Sequence, residues 1–189
     1  LKVNLTKCSV YTTQPLAARH RSWLEANKIP VNNKGGVYLG TPVGTEDFIR
    51  SHLREEASKV CSMIEDLMEV DTAGRLETRW ADTQGMYALV RLSLNQKLRH
   101  FTRTVDPRLI KEEFACVDRD TLQLVGRLFR MSPDDFTEWR VGRITNAFSA
   151  GGLGVVSLVD SSQAAYLGCL FRHRLLLGED PAGSVAGFV

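Results

Sequence analysis

The chain has 189 residues, of which 43% are apolar and 24% are charged. This length allows one large domain or two small ones, and the apolar share is sufficient for a buried core. The charged share is close to that of ordinary globular proteins, which excludes a wholly disordered chain. A net charge of +2 does not by itself indicate a nucleic-acid partner, because only a clustered basic face does so.

The cysteine and histidine patterns exclude several kinds of site. The four cysteines lie more than fifty residues apart without a Cys-x-x-Cys pair, which indicates neither a zinc site nor a disulfide framework. The four histidines lack metal-binding spacing. The uncharged run 144–159 is interrupted by glycines and is shorter than a membrane span. We therefore predict no metal site in this chain, no membrane partner and an intracellular location, nuclear or cytoplasmic.

The first residues predict a small head that contains strands. Residues 1–8 and 36–44 are short extended segments, and glycines allow the second to bend sharply. Between them, residues 15–28 predict a short amphipathic helix with Pro15 in its first turn, because proline is tolerated there. The residues Asn32-Asn33-Lys34-Gly35-Gly36 predict a turn.

Beyond Gly44 the apolar residues recur at helical spacing. We predict helices over 46–70, 82–104 and 107–131, a fourth that opens at Ser132-Pro133 and ends at Gly151, and a fifth that reaches Leu177. The predicted caps are Thr45, Asp106 and Ser132, and Asp160 or Ser161 for the fifth helix. The core-facing stripe of the second helix is Met86, Leu89, Val90, Leu94, Leu98 and Phe101.

The predicted fold class is therefore mainly α with a small β element, in which an antiparallel helical bundle follows an N-terminal strand or hairpin head. The predicted divisions are a head over 1–44, a helical body over 45–178 and a frayed tail over 179–189. The paired carboxylates Asp118/Asp120 and Asp134/Asp135 fit helix-surface or first-turn positions rather than an active site.

Three short blocks carry a resemblance to a known family. They are Asn4-x-x-Lys7-Cys8, then Val37-Tyr38-Leu39-Gly40, then Gly151-Gly152-Leu153-Gly154. In this order the chain resembles the C-terminal part of a reverse transcriptase of non-LTR retrotransposon type: the palm end, the primer-grip hairpin, the thumb and the region after it. The metal-binding aspartates of that family would lie before Leu1, and no Tyr-x-Asp-Asp box is present.

The resemblance implies a set of roles. Lys7 would be a cation near the leaving pyrophosphate, and Tyr38, Leu39 and Gly40 would form a hairpin that grips the primer end. The partners would be a template–primer duplex and the upstream polymerase region of the parent protein. Mg²⁺ is expected for the parent RNA-directed DNA polymerase, with no cofactor in this chain and no catalysis by this chain alone.

A basic stretch on the second and third predicted helices gives the other candidate nucleic-acid contacts. Lys97, Arg99 and Arg103 are its central members, and a cationic face of this kind follows the phosphates of a duplex. The stretch also includes Arg91, His100, Arg108 and Lys111.

Each candidate has a structural alternative. Lys7 is equally well a surface lysine, and the basic stretch is favoured as a solvated helix face. Val37 and Leu39 can share one strand face and pack on helices, with Tyr38 on the other face. The Gly151–Gly154 block is favoured as a tight interhelical turn over a ligand loop. A helical protein-interaction module without nucleic-acid binding is the alternative function.

Overall fold

The computed structural model describes residues 8–72 and 80–178, and side chains within 8–68 and 83–178. The protein is mainly α with a small β element, which confirms the predicted class. It divides into two compact units, of which the first ends at Leu53 and the second begins at Arg54. The boundaries predicted after residues 44 and 178 stay predictions, and the predicted tail lies outside the described residues.

The first unit holds two small sheets. Strand β1 pairs in parallel with β2, and β3 pairs antiparallel with β4. The bounds are β1 Val10–Tyr11, α1 Ala18–Ala26, β2 Val31–Asn32, β3 Gly35–Tyr38 and β4 Thr41–Gly44. The prediction that Pro15 opens α1 is wrong, because Ala17 is extended and the helix begins after it. The turn predicted over 32–36 is shorter, because Gly35 and Gly36 pair with Gly44 and Val43 in the β3–β4 ladder.

The helices follow in an order close to the predicted one. Their bounds are α2 Glu46–Thr72, α3 Trp80–Leu89, a π-helical turn Val90–Leu94, α4 Asn95–Lys97, α5 Phe101–Thr104, α6 Pro107–Leu128, a 3-10 turn Pro133–Asp135, α7 Glu138–Thr145, a 3-10 turn Phe148–Ala150 and α8 Leu158–Leu177. The longest, α2, continues from the first unit into the second. Helix α8 contacts both α5 and α6.

The core of the second unit is built from the predicted apolar stripes. Buried side chains of α2 and α6 recur at helical spacing, so each helix turns one face inward. The residues with almost no exposed surface are Ile64, Val90, Leu98, Phe101, Ile110, Phe114, Leu124, Val125 and Leu158. The rings of Phe101 and Phe114 meet edge to face with centroids 5.9 Å apart, a preferred aromatic arrangement.

One predicted core residue faces solvent. Leu89 is exposed, whereas Val90, Leu94 and Leu98 are buried. The helix widens into a π turn at Val90, and such a turn adds one residue to the helical register. The three buried residues therefore keep facing the core at four-residue spacing, while Leu89 is turned out. A constant helical period cannot reveal this insertion.

Besides the start of α1, one predicted helix start is wrong, and the others are confirmed. The Asp106 carboxylate accepts a hydrogen bond from the Arg108 backbone N–H at 2.9 Å, with Pro107 in the first turn. Arg108 also lowers the pKa of this carboxyl, because its guanidinium donates to it. Thr45 and Ser132 cap as predicted. The cap of α8 is Ser157, neither Asp160 nor Ser161.

The predicted fourth helix is divided. The turn Pro133–Asp135 ends at Phe136, and Thr137 then caps α7 by accepting from the Arg140 N–H. Phe136 lies directly over Gly126, where a Cβ atom would overlap its ring. The aromatic ring is therefore seated on α6, and the chain re-enters a helix after it.

A bidentate ion pair joins α2 to α6. The Arg54 guanidinium donates to both carboxylate oxygens of Glu113 at 3.0 Å. The Glu113 side chain is 8% exposed, whereas that of Arg54 is 70% exposed. A buried carboxylate is costly without a partner, so Arg54 keeps Glu113 compatible with the core.

Replacing Arg54 by Met should reduce the free energy of unfolding by about 1–2 kcal/mol, because it leaves a buried carboxylate without its cation. The solvent exposure of Arg54 keeps this loss below that of a fully buried pair. Urea unfolding followed by circular dichroism measures it. The control is Lys59→Ala, which removes a cation paired only with exposed or half-exposed carboxylates and should change little. Equal losses in the two variants would contradict this account of Glu113.

Candidate nucleic-acid interface

The β3–β4 hairpin presents apolar side chains to solvent at its tip. Tyr38 pairs with Thr41 across the turn, and Leu39 and Gly40 are the two central residues. Tyr38 is 74% exposed and Leu39 is 99% exposed. Val37 is also exposed, so the alternative in which Val37 and Leu39 pack on helices does not fit the structure.

The hairpin turn places a leucine in a strained backbone conformation. Leu39 has φ +49° and Gly40 has φ +82°, and positive φ at both central residues is the pattern of a type I′ turn. Glycine adopts this conformation freely, but a leucine there costs about 1 kcal/mol. Asn-Gly is the preferred pair for such a turn. Leu39 therefore adopts a conformation that its backbone disfavours, and its side chain is not buried.

The base of the hairpin is fixed by glycines and by α2. A Cβ atom on Gly35 would overlap the ring of Phe48 near the start of α2. A Cβ atom on Gly44 would overlap the Lys34 carbonyl, and the Thr45 N–H donates to that carbonyl at 2.7 Å. Pro42 is buried. These contacts fix the base of the hairpin, which in turn positions the apolar tip.

The predicted basic stretch does not lie on one continuous helix. Residues 98–100 form a turn between α4 and α5. The Arg103 N–H donates to His100 O at 3.2 Å, three residues back, so Arg99 and Arg103 are not an ordinary i, i+4 helical pair. Lys97 ends α4, Arg99 lies in the turn and Arg103 lies in α5. The His100 and Phe101 rings lie 3.8 Å apart, centroid to centroid.

Three members of the stretch already have partners. Arg91 lies over the Phe148 ring at 4.0 Å from its centroid. Arg108 forms an ion pair with Asp106 at 2.6 Å. Arg99 donates to the Gln96 side-chain oxygen at 3.1 Å.

Lys97, Arg103 and Lys111 are exposed, and within 8–72 and 80–178 they have no ion-pair partner. These three are the cations of the stretch that are available to an anion.

The Gly151–Gly154 block forms a corner between α7 and α8. Gly151 and Gly154 have φ +73° and +68°, which favours glycine. Gly152 is buried, and a Cβ atom there would overlap the Asn146 carbonyl. The backbone N–H groups of Leu153 and Gly154 donate to the carbonyls of Arg143 and Asn146. The glycines therefore fold the chain back on the end of α7, as the interhelical-turn interpretation predicts.

Two polar side chains hold the strand-like segment after this corner. The Asn95 amide donates to Val156 O at 2.7 Å and accepts from Val156 N–H at 3.1 Å, so it pairs with both backbone polar groups of one residue. Asn95 is buried. The Tyr87 hydroxyl donates to Leu153 O. Together they satisfy backbone groups that would otherwise be costly to bury.

Asp118 completes this set, and its predicted surface position is wrong. Its carboxylate accepts from the backbone N–H groups of Leu158 and Val159 at 2.9 and 3.0 Å and from the Ser157 hydroxyl at 2.8 Å. It therefore caps α8 from a neighbouring helix, where the helix dipole favours a negative group. A surface pattern on α6 gives no sign of this role, because it depends on where α8 begins.

Burial raises the pKa of the Asp118 carboxyl above its ordinary value of 3.8, although the three donated hydrogen bonds act in the opposite direction. A carboxyl whose pKa is raised on folding binds its proton more tightly in the folded state. Its contribution to stability is therefore fully present below 3.8 and declines as the pH rises through the folded-state value.

The remaining predicted residues are placed as follows. Lys7 and Asn4 lie outside the described residues, and Cys8 is half-buried. Within the described ranges, no three His, Cys, Asp or Glu side chains converge as they would to hold a metal ion. The sequence analysis did not predict that Asn95 is buried and bonded to the backbone. The only indication in the sequence is that a polar residue follows Leu94 of the apolar stripe.

Among the described helices, none combines the length and the apolar character that a membrane span requires.

Comparison of the chain with protein-family models, curated proteins and solved structures gave no match.

The strained turn gives a first prediction for this site. Leu39→Asn should raise the free energy of unfolding by about 1 kcal/mol, because asparagine tolerates positive φ and leucine does not. Thermal and urea unfolding measure the change. Leu176→Asn is the control, because Leu176 is an exposed leucine on regular helix α8 and should gain nothing. A loss of stability in Leu39→Asn would show that the Leu39 side chain is packed rather than strained.

The glycine corner gives a second prediction. Gly152→Ala should reduce the free energy of unfolding by at least about 2 kcal/mol, because the added methyl group meets a backbone carbonyl that cannot move freely. Gly168→Ala is the matched control, since a Cβ atom there meets nothing within 4 Å. That change lies inside α8 and should stabilise by about 0.5–1 kcal/mol. Equal effects of the two changes would contradict the close approach at the corner.

Proposed function

We propose that this chain is the duplex-holding, C-terminal portion of an RNA-directed DNA polymerase of the retroelement type, which positions a template–primer duplex and does not catalyse alone. The observation that carries the proposal is the hairpin tip, where Tyr38 and Leu39 are exposed on a turn whose backbone is strained. Residues in strained backbone conformations are concentrated at functional sites.

The chemistry of the tip suits a nucleic-acid end. An exposed aromatic face stacks on any base, so it binds without reading sequence. An apolar leucine beside it can lie against a sugar or a base edge. The rigid support at Gly35 and Phe48 limits the entropy lost when the tip engages a partner.

The cations supply the second part of the proposal. Lys97, Arg103 and Lys111 are exposed and available to phosphates, and each phosphate contact releases counterions from the duplex. These contacts fix position and carry no sequence information. The proposed role is accordingly to hold a duplex of any sequence.

No catalytic step is assigned to this chain. The resemblance implies magnesium ions held by aspartates that would precede Leu1. The described residues do not converge into a group of carboxylates fit to hold such ions. In this proposal the chain's own residues bind and orient the duplex, and the upstream polymerase region would carry the chemistry.

A second candidate function is a helical protein-interaction module. It is favoured by three consecutive exposed leucines at the end of α8, Leu175, Leu176 and Leu177. Exposed apolar clusters of this kind mark protein contacts. This function needs no cationic surface, so the two candidates differ in their dependence on salt.

Binding of a labelled RNA–DNA hybrid duplex, followed by fluorescence anisotropy, tests the proposed function. With three phosphate contacts the affinity should fall about 40-fold between roughly 50 and 200 mM salt. Lys97→Ala/Arg103→Ala should lower the salt slope by about 2. Arg119→Ala is the matched control, because Arg119 is a cation already paired with Asp120 at 2.9 Å.

The hairpin contributes separately. Tyr38→Ala should weaken binding by about 1–3 kcal/mol, the range for one stacked base. Leu39→Asn should weaken binding while it stabilises the fold. No detectable binding at low salt, with intact helical content, would contradict the duplex-holding role and favour the interaction module.

A further inference from the structure

Two cysteine sulfurs from different helices lie close together in the second unit. Cys61 is on α2 and Cys116 is on α6, and their Sγ atoms are 3.7 Å apart. They are 55 residues apart in the sequence. None of the four cysteines is in a disulfide, and both members of this pair are half-buried. No local sequence motif predicts the pair, because it forms only when two helices that are distant in the sequence pack together.

The two thiols form part of a directed hydrogen-bond chain. The Cys61 S–H donates to Cys116 Sγ, and the Cys116 S–H donates to Glu113 O at 3.5 Å. The neighbouring Asp120 carboxylate contributes to raising the pKa of Cys61. The two sulfurs therefore face each other.

The two helices that carry the pair are also joined by the ion pair between Arg54 and Glu113. Val60 and Val117, which are next to Cys61 and Cys116 in the sequence, are buried. A disulfide needs an S–S distance of about 2.0 Å, so the sulfurs must approach by about 1.7 Å, and side-chain rotation with a small helix shift can supply this.

We propose that Cys61 and Cys116 are a modification site, at which a small-molecule disulfide oxidant converts the two thiols into a reversible disulfide that fastens α2 to α6. In the first step one cysteine thiolate attacks a sulfur of the oxidant, forms a mixed disulfide and releases one thiolate. The second cysteine loses its proton, attacks the first cysteine's sulfur and releases the other half of the oxidant. The two cysteines lose two electrons and two protons, and the oxidant is reduced to two thiols.

The environment sets which step is slow. Burial and the neighbouring Cys116 raise the pKa of the Cys61 thiol to about 12, so Cys61 is a thiol at neutral pH. Because the thiolate is the nucleophile, the step in which Cys61 attacks is the slow one, and deprotonation of Cys61 limits closure. The expected reaction takes hours rather than seconds.

The test uses the full chain and glutathione disulfide in excess. After several hours, peptide mapping by mass spectrometry should find the Cys61 and Cys116 peptides joined with the loss of two hydrogen atoms. The melting temperature should rise by about 10 °C, because the bond closes a long loop in the unfolded chain. Dithiothreitol should reverse both changes.

Two variants separate this site from the other cysteines. Cys8→Ser/Cys169→Ser should keep the linkage and the shift, whereas Cys116→Ser should lose both. Glutathione attached to Cys61 and Cys116 separately, with no bond between them, would overturn the proposal. A linkage that lowers the melting temperature would also overturn it, because the bond would then not fit the native packing of α2 and α6.

Discussion

The start of α8 in the second unit depends on the Asp118 side chain of α6. Asp118 on α6 accepts hydrogen bonds from the Ser157 hydroxyl and from the backbone N–H groups of Leu158 and Val159, and α8 contacts α5 and α6. The free N–H groups of a helix start need partners when they are buried. Asp118 supplies them from a neighbouring helix, and Asn95 fixes the peptide just before. The glycine corner is therefore a structural joint between α7 and α8.

Helical periodicity predicted much of this fold. The apolar stripes of α2 and α6, and the Asp106-Pro107 start of α6, follow from local preferences and were confirmed. The exceptions have tertiary causes. Leu89 faces solvent because a π turn adds a residue, and α8 begins at Leu158 because Ser157 and a distant carboxylate satisfy its start. Spacing along one helix contains no information about such partners.

The candidate site was predicted only in part. The hairpin and its Tyr38-Leu39-Gly40 tip were expected from the sequence, but the positive φ of Leu39 was not, because leucine normally avoids that region. The basic residues of the stretch were identified from the sequence. In the structure, however, Arg91 lies over the Phe148 ring and Arg108 forms an ion pair with Asp106. Which cations stay available is decided by these contacts. The duplex-holding role therefore stays a proposal carried by Tyr38, Leu39 and the exposed cations.

Amide hydrogen exchange tests the structural joint most directly. If Asp118 and Asn95 hold the chain after the glycine corner, the amides of Val156, Leu158 and Val159 should be protected to within about tenfold of the core amides of α6, since locally stable segments open only with the whole unit. Exchange of these three amides at the rate of an unstructured loop, while α6 remains protected, would contradict the account.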